Sequence, residues 1–459
     1  MLGKFLVPEI RDLIVTGDEI TLRELLNRWS PADVVELFGE LSDEEDLAGM
    51  RMLTGPQRAR VFEYLDRHSQ KQLLKALPPE FVRSLLNEIA DDDRTAILAE
   101  LADSERERLL SLLSDEQRGI AESLLEYPEK SVGRLMTPHF VAVRPQWTVQ
   151  EVLDHIRQHG QDSETLNVVY IVDQDHRLVD DMRIRQILLA KPSQHLSEIL
   201  DHNFVTLKAN DPKRGAVEIF RQYDRSALPV VDENGVLLGV VTIDDVIDIA
   251  EESATADMQK LGGLEALNEP YDTTPLSTMI RKRASWLVVL FLGEMLTATA
   301  MGFFEGEIEK AVVLALFVPL IISSGGNSGS QAATLIVRAL ALGEVGLRDW
   351  FRVFRREIIS GIALGTTLGS IGFVRIGIWT LFSDIYGPYW FLVGLTVAFS
   401  LVLIVLWGTL AGAMLPFVLK RVGFDPATSS APLVATLVDV TGLVIYFTVA
   451  IILLKGTML

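Results

Sequence analysis

The sequence predicts a multidomain membrane protein: an all-α solenoid-like domain, an α/β duplication, a long connecting helix and a five-helix α transmembrane domain. Three observations carry this. The chain has 459 residues, enough for about three domains at ~150 residues each. Residues 1–280 hold 29 Lys+Arg against 52 Asp+Glu (net −23) and residues 281–459 hold 13 against 10 (net +3), which together give the −20 of the whole. Apolar residues, 49% of the chain, gather into five long runs at the C-terminal end. An acidic, water-soluble body is therefore joined to a nearly uncharged apolar one.

Several chemistries drop out at once. There is no cysteine, so disulfides, thiolate metal sites and Cys nucleophiles are excluded. All seven histidines lie between His68 and His202, which leaves the apolar end without imidazole. The acidity of the body argues against nucleic acid, whose phosphates need Lys and Arg. The N-terminal "MLGKFLVPEIRDLIV" lacks the uninterrupted apolar core and small-residue cleavage site of a signal peptide, so the acidic part is expected in the cytosol.

Residues 1–130 read as a helical repeat. Leu41, Leu53, Leu65, Leu77, Ile89, Leu101 and Leu113 recur at a spacing of 12, each followed by helix-starting residues such as "SDEE", "PPEF" or "SDEQ". The pattern predicts helices of about two turns joined by tight corners, stacked because one such helix cannot bury its stripe alone. A scaffold is favoured over a ligand site here, although Asp91, Asp92 and Asp93 form a like-charge cluster that a cation would relieve.

Residues 131–248 contain a duplication. "FVAV" at 140–143 returns as "FVTL" at 204–207, and "YIVDQDHRLV" at 170–179 returns as "PVVDENGVLL" at 229–238. Each copy has short β-branched strands around an amphipathic helix. This resembles a tandem CBS-domain pair. The resemblance implies that Gly239, Thr242 and Asp245 of the second copy could place a hydroxyl on phosphate and a carboxylate on ribose, with ATP as the cofactor. The first copy departs from the pattern at Asp180, Arg183 and Gln186. A dimerising module without nucleotide is therefore the favoured reading.

Residues 249–277 continue as connecting helix and linker. From Ile243 to Leu264 apolar and acidic positions alternate at helical spacing until Gly262 and Gly263. Asp244, Asp248 and Glu251 share one face; Asp245, Asp248 and Glu252 share the next. Like charges at these spacings repel unless a cation neutralises them.

Residues 278–459 form the membrane domain, with expected spans at 284–304, 311–342, 358–382, 389–419 and 430–454. Arg281, Lys282 and Arg283, then Arg348, Arg352, Arg355 and Arg356, then Lys420 and Arg421 occupy alternate loops. They fall on one side only if the N-terminus is cytosolic and the C-terminus outside. The second span contains Pro319 and "GGNSGSQ" at 325–331, read as a break in the helix that lines a path, the alternative being a packing notch of small residues. Glu294, Arg375 and Asp439 are charges within spans, each costing about 3 kcal/mol at a bilayer centre and so each a site candidate. For Glu294 and Arg375 a structural ion pair or interfacial position is preferred. Asp439, near Thr436, Thr441 and Gly442, suits a hydrated hard cation. Carboxylate and hydroxyl donors without His or Cys favour Mg²⁺, Ca²⁺ or Mn²⁺, and a two-fold partner would supply a second carboxylate.

The order of segments, with "GGNSGSQ", "DPATSSAP" at 425–432 and Asp439, closely resembles the MgtE family of magnesium channels over nearly the whole chain. The resemblance implies a homodimer in the cell (inner) membrane, a pore on its axis where Asp439 holds hydrated Mg²⁺, Asn327 matching the Asn of the family's broken second helix, and Asp425 at the cytosolic end of the path. It implies closure by intracellular Mg²⁺ on acidic faces, for which Asp91, Asp92, Asp244, Asp245, Asp248, Glu251, Glu252 and Asp257 are the candidates. Ser253 and Ala256 depart from the family, which commonly carries carboxylates there. The rival is a proton- or sodium-coupled divalent exchanger with Glu294 as coupling acid; an intramembrane enzyme lacks any nucleophile–base pair or metalloprotease motif.

Overall fold

The computed structural model describes residues 6–267, 271, 274–428 and 430–458, so Ser429 of the 425–432 motif and the first five residues lie outside the described residues. It divides into two compact units, Met1–Ser253 and Ala254–Leu459.

The first unit begins with ten short helices from Val7–Thr16 to Asp115–Leu125. The period-12 residues sit at the corners, where Leu53 and Ile89 turn into extended backbone and are buried. Caps start the helices: Ser42 and Glu45 form a capping box, while Asp66 and Ser114 accept from backbone amides. Polar contacts follow the same period. Arg58 donates to the carbonyls of Met50 (3.0 Å) and Leu53 (2.7 Å), and Arg94, 36 residues on, donates to those of Leu86 (3.0 Å) and Ile89 (3.3 Å). Each arginine thus satisfies carbonyls that the corners leave without helical partners.

Two matching three-stranded sheets follow. In the first, β1 (Ala142–Val143) runs parallel to β2 (Val168–Val172), which pairs antiparallel with β3 (Leu178–Arg183). In the second, β4 (Leu207–Lys208), β5 (Ala227–Val231) and β6 (Leu237–Thr242) repeat this order, down to a bulge at the same place in the central strand. Val168, Tyr170 and Val172 of one copy pack with Val231, Leu237 and Val240 of the other, so the copies share a core. The connecting helix, Ile243–Leu261, ends at Gly262 and at Gly263, whose φ of +75° an L side chain rarely adopts.

Among its described residues the second unit holds five helices long and apolar enough to span a membrane: Leu276–Phe303, Val318–Ala341, Trp350–Trp379, Trp390–Val422 and Ala431–Leu454. The expected break in the second is absent. That helix runs unbroken through 325–331, and the irregular backbone lies before it, as a 3₁₀ segment at Val312–Phe317 with Pro319 in the first helical turn. The glycines serve packing instead. A Cβ on Gly325 would meet Ile404 and Val438, and one on Gly329 would lie 2.8 Å from Val434 and 2.9 Å from the Gly408 carbonyl. On the third span Gly361, Gly365 and Gly369, spaced by four, face Leu406, Val402 and Ala398 of the fourth. Small residues replaced a helix break because glycine satisfies either reading by composition alone.

Candidate functional site

Asp439 is half-buried on the fifth span. That helix is started by Ser430, whose hydroxyl accepts from the Leu433 amide, with Pro432 in the first turn. Asp439 reaches the second span at Gly326, where an added Cβ would stand 3.5 Å from its Oδ1 and 3.4 Å from the Ala435 Cβ. A side chain at 326 would therefore take the space the carboxylate faces. Asn327, next in the chain, is exposed, and its Nδ2 donates to Ser323 at 3.3 Å. Thr436, one turn before Asp439, lies against the first span, its Cγ2 2.9 Å from a Cβ built on Gly293. Thr441 accepts from the Trp407 indole at 2.7 Å. Arg375, for which an ion pair or an interfacial position is expected, lies over the Trp379 ring, 5.7 Å from its centroid, near the end of the third span.

Asp425 precedes the short turn Pro426–Thr428 and accepts from the Ala427 amide at 2.9 Å. Its other oxygen pairs with Lys260 of the connecting helix at 2.5 Å. The turn after that helix rests on the spans, since a Cβ on Gly263 would lie 2.9 Å from the Trp286 ring and 3.1 Å from Pro432. Trp286 in turn donates to Ser430 at 3.2 Å. Asp257, also on this helix, is partly buried.

In the first unit, Asp91 is taken by Arg94 and by His139, whose Nε2 lies 2.9 Å from Oδ2. Asp92 and Asp93 instead meet Asp245, Asp248 and Glu164. Asp92 is raised well above the usual carboxylate range, first by burial and then by Asp245 and Asp93. Asp93 is pushed up to about 6 by burial, with Asp245, Asp248 and Glu164 adding to it against Arg67. Burial likewise raises Asp245, Asp248 and Glu164, with carboxylate neighbours adding in each case. Among the described residues no three acidic or His side chains converge tightly enough to grip a bare ion. Glu164 was not legible in the sequence, since it lies in the first copy far from both other acidic runs. Asp244 and Glu251 are exposed, and Glu252 pairs with Lys213 at 2.9 Å.

The predicted nucleotide residues are otherwise engaged. Thr242 donates to Asp245 at 2.7 Å, so hydroxyl and carboxylate meet at the start of the connecting helix, where Asp92 of the helical repeat is a neighbour of Asp245. A different cleft, of about 310 Å³, is lined by Arg183, Arg185 and Arg225 with Asp224, Ser226 and Asn167. Arg225 also pairs with the buried Asp181 at 3.1 Å, which ties the two copies together.

Family models match the chain at 318–449 (divalent cation transporter), 29–130 (MgtE intracellular N domain), and 132–189 and 196–252 (CBS domain). The Thermus thermophilus magnesium transporter MgtE is 39% identical over 98% of this chain and 99% of its own length. The Bacillus subtilis magnesium transporter MgtE is 27% identical over 97% of this chain and 96% of its own. A solved cytosolic domain of the Mg²⁺ channel MgtE in complex with ATP aligns at 34% identity and a TM-score of 0.51, covering 53% of this chain and all of that one. Agreement along nearly the full length, spans included, shows that the chain belongs to the MgtE family of magnesium transporters.

Proposed function

We propose that this multi-pass membrane protein conducts Mg²⁺ into the cytosol as a homodimeric channel that intracellular Mg²⁺ closes. The observation that carries the reading is Asp439, a half-buried carboxylate within a span, set against the glycine pair of the second. A carboxylate at that depth favours bundle interior or water over lipid, and one per protomer suffices for an ion that keeps most of its water. Asn327 and Thr436 flank the path, Asp425 stands at its cytosolic end, and the alternation of basic loops supports a cytosolic N-terminus with the C-terminus outside.

Closure rests on the carboxylates of the first unit. Asp92, Asp93, Asp245, Asp248 and Glu164 would hold a hydrated divalent cation through its water; the raised carboxyls fit it, because burial first and neighbouring carboxylates second disfavour negative charge that a cation would offset. At Asp425, Lys260 supplies a positive charge from the protein itself. We expect Lys260→Met to raise the internal Mg²⁺ concentration needed for closure, read as residual uptake into vesicles preloaded with graded Mg²⁺. The cleft lined by Arg183, Arg185 and Arg225 offers cationic donors for the phosphates of ATP.

The titration has a definite sign. Carboxyls raised in the folded state contribute stability at low pH that is lost as pH climbs from about 4, their unfolded range, through the folded value of about 6 at Asp93. Asp18, Glu45 and Asp66, lowered by their capping bonds, are already ionised above pH 5 and do not offset this. Without Mg²⁺, limited proteolysis of the full chain between the repeat and the duplication should be slow at pH 5 and faster at pH 7.5, and millimolar Mg²⁺ should slow it at pH 7.5. Equal cleavage in all three conditions would count against closure by these acids.

The channel itself is tested by the reversal potential of Mg²⁺ current in reconstituted protein. It should follow the Mg²⁺ gradient alone; a shift with pH or Na⁺ at fixed Mg²⁺ would instead favour a coupled exchanger.

A further inference from the structure

Glu294 has no place in the reading so far. It lies midway along the apolar run 284–304, is exposed, and among the described residues has no hydrogen-bond or ion-pair partner. A carboxylate there costs about 3 kcal/mol against lipid, so its presence asks for a compensating charge.

The packing says where that charge would stand. The first span meets the fifth at Gly293, whose missing side chain admits Thr436. Glu294 follows that contact by one residue and Asp439 follows Thr436 by three, so the two carboxylates flank the same close approach. A second, independent feature lies at the same seam. Thr297, one turn beyond Gly293 on the same helix face, is 9% exposed, the buried residue of the first span, and its Oγ1 has no hydrogen-bond partner among the described residues. A buried hydroxyl left without a partner costs about 1–3 kcal/mol unless water or a ligand meets it. Two carboxylates and a hydroxyl on one seam are hard oxygen donors of the kind that hydrated Mg²⁺ accepts.

We propose that Glu294 is a second cation-binding carboxylate of each protomer, forming with Asp439 and Thr297 a site for a hydrated divalent ion between the first and fifth spans. This rests on Asp439 lying on the ion path. Two carboxylates raise local affinity and exclude anions, while retained water lets the ion leave.

The test is Mg²⁺ uptake by the full chain in proteoliposomes, at low internal Mg²⁺, against external Mg²⁺ concentration. Glu294→Gln should raise the half-saturating concentration by about tenfold, Thr297→Val should raise it less, and Glu294→Asp should stay near the unsubstituted protein. Elution in detergent as a single folded species separates binding from misfolding, and Glu294→Asp retains the charge if Gln destabilises the helix. An unchanged half-saturation in Glu294→Gln overturns the proposal, as does loss of an uptake-linked proton flux with Mg²⁺ affinity unaltered. Asp439→Asn reports separately: normal uptake in that variant defeats the underlying reading, whereas impaired uptake there with normal Glu294→Gln defeats this inference alone.

Discussion

Asp439→Ala should abolish Mg²⁺-dependent growth of a transport-deficient cell and lower uptake at least about a hundredfold. The magnitude follows from Coulomb's law. A divalent ion held through its water, ~8 Å from a carboxylate at an effective dielectric of ~20, gains roughly 4 kcal/mol, and each ~1.4 kcal/mol is tenfold. Alanine leaves the packing nearly intact, because the carboxylate faces the Gly326 surface rather than filling a core. Expression and detergent behaviour should therefore match the unsubstituted protein. Full retained uptake would remove Asp439 from the path.

Gly412→Leu should prevent the bundle from assembling. The second and fourth spans touch backbone to backbone at Gly325, Gly329, Gly408 and Gly412, and a Cβ on Gly412 would collide with the carbonyl oxygen of Gly329. Backbone cannot rotate aside as a side chain can, so the helices must separate. Overpacking commonly costs about 1–3 kcal/mol even where side chains adapt, and here a whole span contact is lost. The readout is loss of a monodisperse species in detergent, or a large fall in thermal midpoint. Gly302→Ala is the control: a Cβ there meets nothing, and the change should be neutral or slightly stabilising.

These two predictions mark what sequence patterning conveys and what it does not. The repeat of 12, the duplication, the connecting helix and the five spans were all readable, because each is a periodicity or a composition that one kind of structure satisfies. The glycine run 325–331 was not. Glycine can break a helix or let two helices touch, and only the facing residues, Ile404, Gly408 and Val434, decide which. The spans also begin or end several residues away from their apolar runs, as Leu276 and Trp350 show, because charged residues extend a helix beyond the hydrocarbon. At the carboxylate cluster, the acidic runs announced Asp92 and Asp245 but not the contact between them, nor Glu164, nor that Arg94 and His139 would claim Asp91. The Thr242 hydroxyl and the Asp245 carboxylate bond each other at the start of the connecting helix, a contact their spacing alone did not announce. Tertiary neighbours assign such side chains, and a linear pattern holds no record of them.

The claim on which the rest depends is that the seam around Asp439 opens to water and holds the ion. The chain has no cysteine, so Thr436→Cys, one turn from an intact Asp439, introduces a unique thiol. In reconstituted protein a membrane-impermeant, charged thiol reagent should modify it, and Mg²⁺ should slow the reaction in a saturable way while K⁺ at equal ionic strength does not. Modification by lipid-soluble reagents alone, or at a rate indifferent to Mg²⁺, would place this seam against lipid and contradict the account.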